Sequence, residues 1–229
     1  MNATNRSPAP FAVVGIVAAA VFAVMWIVAA SGDASWVLGE STISDLGISA
    51  NDDTANEFMF ACIITGILVI VFGAGKAYCE KGANTASGIF LAAAGLFLAL
   101  VGIFDKNYGD GDAHQAFTYI FFIFTAVSAV CSMFGDHAEG KKINTAITAA
   151  LILIVVGAVV GKELAYYESV AAVCALLWIV AESVKMIFNL KPSVVPVACT
   201  GCACAAVAEA EAPAVEPIAD EVPAAENKE

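Results

Sequence analysis

Proline is missing from the whole stretch between Pro10 and Pro192, although the chain has seven in all. Helices broken at mid-membrane by Gly and Pro, a common transporter device, are therefore not expected. Charge is also scarce, at 14% of residues against 60% hydrophobic ones, which excludes a soluble core with charged residues scattered along its helices. Basic residues number 10 against 22 acidic ones, a balance that argues against nucleic acid and anionic ligands as partners. The four cysteines outside the C-terminal region, Cys62, Cys79, Cys131 and Cys174, fall within or at the ends of apolar runs and read as small packing residues rather than a disulfide framework.

What is abundant is apolar sequence in runs of roughly 20 residues, the length that spans a bilayer. The expected fold is all-α: a polytopic membrane protein with six transmembrane helices in one bundle, followed by a disordered acidic C-terminal tail. The spans are predicted at Phe11 to Ala30, Phe58 to Tyr78, Ala86 to Phe104, Ala113 to Phe134, Ile143 to Val160 and Glu168 to Phe188. Thr54 with Glu57 has capping-box spacing, and Thr85 and Asp112 with Gln115 are candidate caps for the third and fourth helices. Cleavage near Ala30 is the rival reading of the first span, whose length exceeds the usual secretory core of about 7 to 15 residues. Residues 1–10 form a leader, 11–190 the membrane domain, and 191–229 an Ala, Glu and Pro-rich tail with too little apolar surface to fold. Cys199, Cys202 and Cys204 at the tail's start lack a fourth ligand for a structural zinc and read as linker thiols.

Six spans put both termini on one side. Arg6, Lys76, Lys81, Lys141, Lys142, Lys185 and Lys191 fall there, against Lys106 and Lys162 opposite, so the expected location is the cell membrane with both termini cytoplasmic. The other face is acidic, carrying among others Asp33, Glu40, Asp45, Asp105, Asp112, Glu163 and Glu168. Small residues indicate how the helices approach one another: Gly88, Ala92, Gly95, Ala99 and Gly102 lie on one face of the third helix, and Cys62, Gly66, Gly73 and Ala77 repeat the device on the second. Gly157 and Gly161 have the same four-residue spacing on the fifth.

The polar stretch WVLGESTISDLG, Trp36 to Gly47, lies between two membrane-length segments and is the expected place for a site. Ser41, Thr42 and Ser44 flank Asp45 and could hold its carboxylate by hydrogen bonds, with Gly47 permitting the turn. His114 and Glu168 are predicted at the same membrane level. One reading makes Asp45 and His114 acid, base or metal ligands, with Glu168 assisting. A histidine with carboxylates suits a divalent cation such as calcium, magnesium or manganese better than a closed zinc site. The plainer reading is that Asp45 caps a short helix, His114 snorkels to the headgroups and Glu168 begins the sixth helix where the dipole favours it. Glu182 is expected to pair with Lys185 one turn on as a snorkelled ion pair, and His137 to lie in a cytoplasmic loop.

STISDLG after the first helix, GIFDKNYGDGDAHQAFTYIFF between the third and fourth, and ELAYYESVAAVCALLWIV entering the sixth resemble family 998 of the domains of unknown function. Ser44 to Gly47 is the most specific piece, and Gly102 to Phe104 with His114 the second. The resemblance spans Phe11 to Leu190 and implies a mainly prokaryotic six-helix membrane protein, with no established activity. Asp105 stands where the family pattern implies a proline. Three functions stay open: a cation-dependent membrane enzyme at the SDLG turn, a non-catalytic bundle acting as sensor or interaction protein, and a small-molecule transporter. Beyond the lipid bilayer no partner is specified.

Overall fold

The computed structural model describes residues 8–160 and 163–188. Arg6, Gly161, Lys162, Lys191, the acidic tail and Cys199, Cys202 and Cys204 lie outside the described residues. Among those described are six helices: α1 (Ala9–Gly32), α2 (Asp52–Cys79), α3 (Ala83–Ile103), α4 (Asp112–Ala138), α5 (Lys142–Val159) and α6 (Leu164–Phe188). A 3-10 turn, Ile43–Ile48, lies between α1 and α2. All six helices are long and apolar enough to cross a membrane, and the protein is a multi-pass integral membrane protein. Short connections make successive helices antiparallel, so the 3-10 turn, the α3–α4 connection and the start of α6 share one end of the bundle. We call this the SDLG end and the other the terminal end.

Several helices begin outside their apolar runs, because hydrophobicity marks the bilayer span and capping marks the helix. Residue Asn51, not Thr54, caps α2: its side chain accepts from the Asp53 N–H at 3.1 Å, and Asp52 and Asp53 occupy the first turn, where the dipole favours acids. Thr54 is buried inside that helix. At α3, Gly82 takes the N-cap position, while Thr85 Oγ1 donates to the Glu80 carbonyl at 2.8 Å. At α4 the cap is Gly111, held left-handed at φ 78°, and Asp112 is already helical; the Gln115 amide donates to the Tyr119 hydroxyl instead. Helix α6 starts at Leu164, so Glu168 lies beyond its first turn rather than at its start. His137 belongs to the last turn of α4, not to a loop.

The small-residue faces of α2 and α3 meet. A Cβ added at Gly66 would lie 2.6 Å from the Gly95 carbonyl and 2.7 Å from Ala99 N, and one at Gly73 would lie 2.5 Å from Ala92 N. Backbones this close gain dispersion contacts that a larger residue would forfeit, which is how helices associate where lipid supplies no hydrophobic drive. On α5, Gly157 has nothing within 4 Å of its added Cβ and so marks no close helix contact; Gly161, the other member of its pair, lies outside the described residues.

Candidate functional site

At the SDLG end the chain leaves α1, turns back under Trp36 and forms the 3-10 turn. Trp36 packs edge-on against Trp26 with ring centroids 6.3 Å apart, and its indole N–H donates to the Thr42 carbonyl at 2.8 Å. Ile43 and Leu46 are buried in the core beside Phe22 and Phe58. This apolar footing anchors a turn whose own hydrogen bonds are few. Gly47 is needed for packing rather than for backbone freedom: its φ is not positive, and a Cβ there would lie 2.9 Å from the Phe58 ring.

Asp45 does two things. Its Oδ2 accepts from the Thr42 N–H at 2.7 Å, which caps the 3-10 turn, and its Oδ1 accepts from Lys106 Nζ at 2.5 Å. Lys106 also donates to Thr42 Oγ1 at 2.7 Å, tying the α3–α4 connection to the turn. Burial works to raise the Asp45 pKa, but the hydrogen bonds from Lys106 and Thr42 outweigh it and hold the carboxyl below its ordinary value. The flanking serines do not lock this carboxylate. Ser41 Oγ accepts from the Val37 N–H, and the Ser44 N–H donates to Glu168 Oε1 at 3.3 Å.

Glu168 is buried, not part of the acidic surface, and Ser44 is buried beside it. Both line an apolar cavity of about 60 Å³ between the helices, whose walls include Phe22, Phe58, Leu98, Phe121 and Leu176. Glu168 is the only charged residue among the described residues lining it. A second cavity, of about 140 Å³, lies among α4, α5 and α6 and shares Phe122, Thr125 and Ala175 with the first.

His114 is also buried, which corrects the expectation that it snorkels to the headgroups. Its Nδ1 lies 2.8 Å from the Phe104 carbonyl, and its Nε2 is buried without a hydrogen-bond partner. No hydrogen bond or ion pair among the described residues joins it to Asp45 or Glu168. The three predicted site residues are thus divided: Asp45 lies in the SDLG turn and pairs with Lys106, Glu168 meets that turn at the neighbouring Ser44, and His114 belongs to the α3–α4 corner. Among the described residues no three His, Cys, Asp or Glu side chains form a group that could hold a metal ion. The Asp45 carboxylate, the candidate metal ligand of the turn, is engaged by Lys106 and the Thr42 N–H.

Lys106 is the member that sequence reasoning missed. It was legible only as one of two bases on an acidic face, and sixty-odd residues of chain separate it from its partner.

At the terminal end, Glu182 and Lys185 do pair, at 2.7 Å, but neither snorkels: both are buried within the bundle. Lys76, read from sequence as a surface base, is 0% exposed and bonds Glu182 and, at 3.0 Å, Ser132. Lys185 also reaches Asp136 at 3.0 Å. Asn84 of α3 donates to Asp136 Oδ1 at 3.2 Å and, at 3.3 Å, to Glu139 at the end of α4. Four helices therefore converge on one buried ionic network.

The family model described as "Protein of unknown function (DUF998)" matches residues 16–185. No curated protein and no solved structure matches the chain.

Proposed function

We propose that this chain, which belongs to the DUF998 family of proteins of unknown function, binds a single-chain amphiphile within the membrane at its SDLG end. The observation that carries this reading is the apolar cavity with one carboxylate, Glu168, at the Ser44 side of its lining. An apolar pocket with a few converging polar groups is the usual form of a small-ligand site. A slender alkyl or prenyl chain suits the apolar walls, and the neighbouring cavity among α4, α5 and α6 offers room for its continuation. The head group that complements Glu168 is a hydroxyl, because it can donate to a carboxylate and accept from a protonated carboxyl group. Asp45 and Lys106 act here as positioning residues: they hold the turn that presents Ser44.

The same proposal has the SDLG end facing outward and both termini in the cytoplasm. It is supported by Lys81, Lys141 and Lys142 at the terminal end, whereas Lys106 at the other end is neutralised by Asp45. Labelling Ser35→Cys and Lys81→Cys in intact cells with a membrane-impermeant thiol reagent tests it; modification of Cys at 81 alone would reverse the orientation.

The binding test is photo-crosslinking of the purified protein with a diazirine-bearing long-chain alcohol. Label on peptides containing Phe121 or Glu168, displaced by unlabelled hexadecanol and lost in Ala172→Phe, which fills the cavity, is the expected result. Label spread over lipid-facing surfaces and indifferent to Ala172→Phe would overturn the reading.

A further inference from the structure

The ionic network at the terminal end is unbalanced. Lys76 and Lys185 supply two ammonium groups, while Glu80, Asp136 and Glu182 supply three carboxyl groups. A surplus charge in a low-dielectric interior is costly, and ionisable groups inside a membrane bundle usually mark a functional path. The three carboxyls are not equivalent. Glu182 accepts from Lys76, Lys185 and Ser132, and Asp136 from Lys185 and Asn84. Glu80 has no such donors: each lysine stands 3.8 Å away, and its Oε2 is buried without a hydrogen-bond partner. Its side chain keeps 13% exposure, so it is also the carboxyl at the network's edge.

We propose that this network is a proton-binding site and that its exchangeable proton resides on Glu80. An O–H bond forms at Glu80 with a proton from the aqueous phase at the terminal end, and the network passes from one net negative charge to none; deprotonation returns the proton to the same phase. The groups acting on Glu80 are Lys76 from α2, whose C-cap it is, Glu182 and Lys185 from α6, and Lys141 from the cap of α5; Asp136 of α4 pairs with Lys185, and Glu139 at the end of α4 pairs with Lys141. Glu139 is committed to Lys141 at 2.6 Å, which leaves Glu80 as the titrating member. Burial, stronger than the pull of the two lysines, pushes the Glu80 carboxyl above its ordinary value. The site is at the opposite end of the bundle from the proposed amphiphile cavity and does not depend on that reading.

The test is infrared pH-difference spectroscopy of the full-length protein in detergent, with glutamate carrying carbon-13 at its side-chain carboxyl in one preparation and aspartate so labelled in another. In a Glu168→Gln background, which removes the buried glutamate among the described residues that lacks a lysine partner, the expected result is a protonated-carboxyl band that persists above the ordinary glutamate range of about 4.3, shifts with glutamate labelling only, and is lost on adding Glu80→Gln. A proton held more tightly by the folded state than by the unfolded chain contributes stability that is fully present below the unfolded value and is lost as pH rises through the raised pKa. The thermal midpoint in the same background should therefore fall across that interval, and Glu80→Gln should abolish the fall while Glu139→Gln keeps it. Should Glu80→Gln not fold, Glu80→Asp must move the band into the aspartate-labelled spectrum. No band, as when a small cation rather than a proton balances the charge, or a band unchanged by substitution at Glu80, would overturn the proposal.

Discussion

Lys106 Nζ stands 2.5 Å from Asp45 Oδ1, across a gap in sequence that spans α2 and α3. That one ion pair joins the SDLG turn to the α3–α4 connection, while the other oxygen of the same carboxylate caps the turn. Because the pair is 29% and 39% exposed, solvent screens it, and Lys106→Ala should cost only about 0.5 to 1 kcal/mol. Asp45→Ala should cost more, about 1 to 2 kcal/mol, since it removes the cap as well. Thermal midpoints of the two variants in one detergent check the order; equal losses would mean that the cap contributes nothing.

The same carboxylate sets a pH dependence. Its pKa is lowered in the folded protein, so its contribution is fully present above the unfolded value of about 3.9 and is lost as pH falls through the lower folded value. Wild type should therefore lose stability more steeply on acidification than Lys106→Ala, in which the main opposing hydrogen bond is gone. Parallel acid-unfolding curves for the two would contradict this.

Two glycines in similar sequence settings should behave oppositely. Gly66→Ala forces a methyl against the α3 backbone, where no side chain can rotate away, and should destabilise by about 1 to 3 kcal/mol. Gly157→Ala meets nothing and should be neutral or stabilising by up to about 1 kcal/mol through helix propensity. Denaturation of both variants in mixed micelles separates them.

At the terminal end, removing one charge should be worse than removing a pair. Lys76→Met leaves Glu182 with a single ammonium in a buried site, and a loss of about 3 to 5 kcal/mol is expected. Lys76→Met combined with Glu182→Gln should recover a substantial part of it. A double-mutant cycle on thermal or denaturant unfolding measures the coupling; additive losses would show that the two side chains do not act together.

Much of the fold was legible in the chain. The six apolar runs are long enough to demand membrane helices, since backbone groups in lipid must be satisfied within the segment. The facing stripes of Gly66 and Gly73 on α2 and Gly88 and Gly95 on α3 were readable because small residues at helical spacing have few other uses in a bundle. Helix starts were less legible. Asn51 and Gly111 cap polar turns that precede the apolar runs, and hydropathy does not see them.

The candidate site divides along the same line. The sequence by itself determined that Asp45, Ser44 and Glu168 would reach one end of the bundle, because alternating spans leave no other arrangement. Only the tertiary structure decided that Asp45 would be taken by Lys106, that Glu168 would turn inward beneath Ser44, and that His114 would bond the Phe104 carbonyl instead of joining them. It decided likewise that Lys76 and Lys185, which count as surface bases in a linear reading, are buried among carboxylates. The physical reason is common to all of these: hydropathy and helical spacing act within a segment and assign a residue its depth, whereas the partner of a charge is chosen by which helix faces pack together, and charges in an apolar interior persist only where packing supplies that partner.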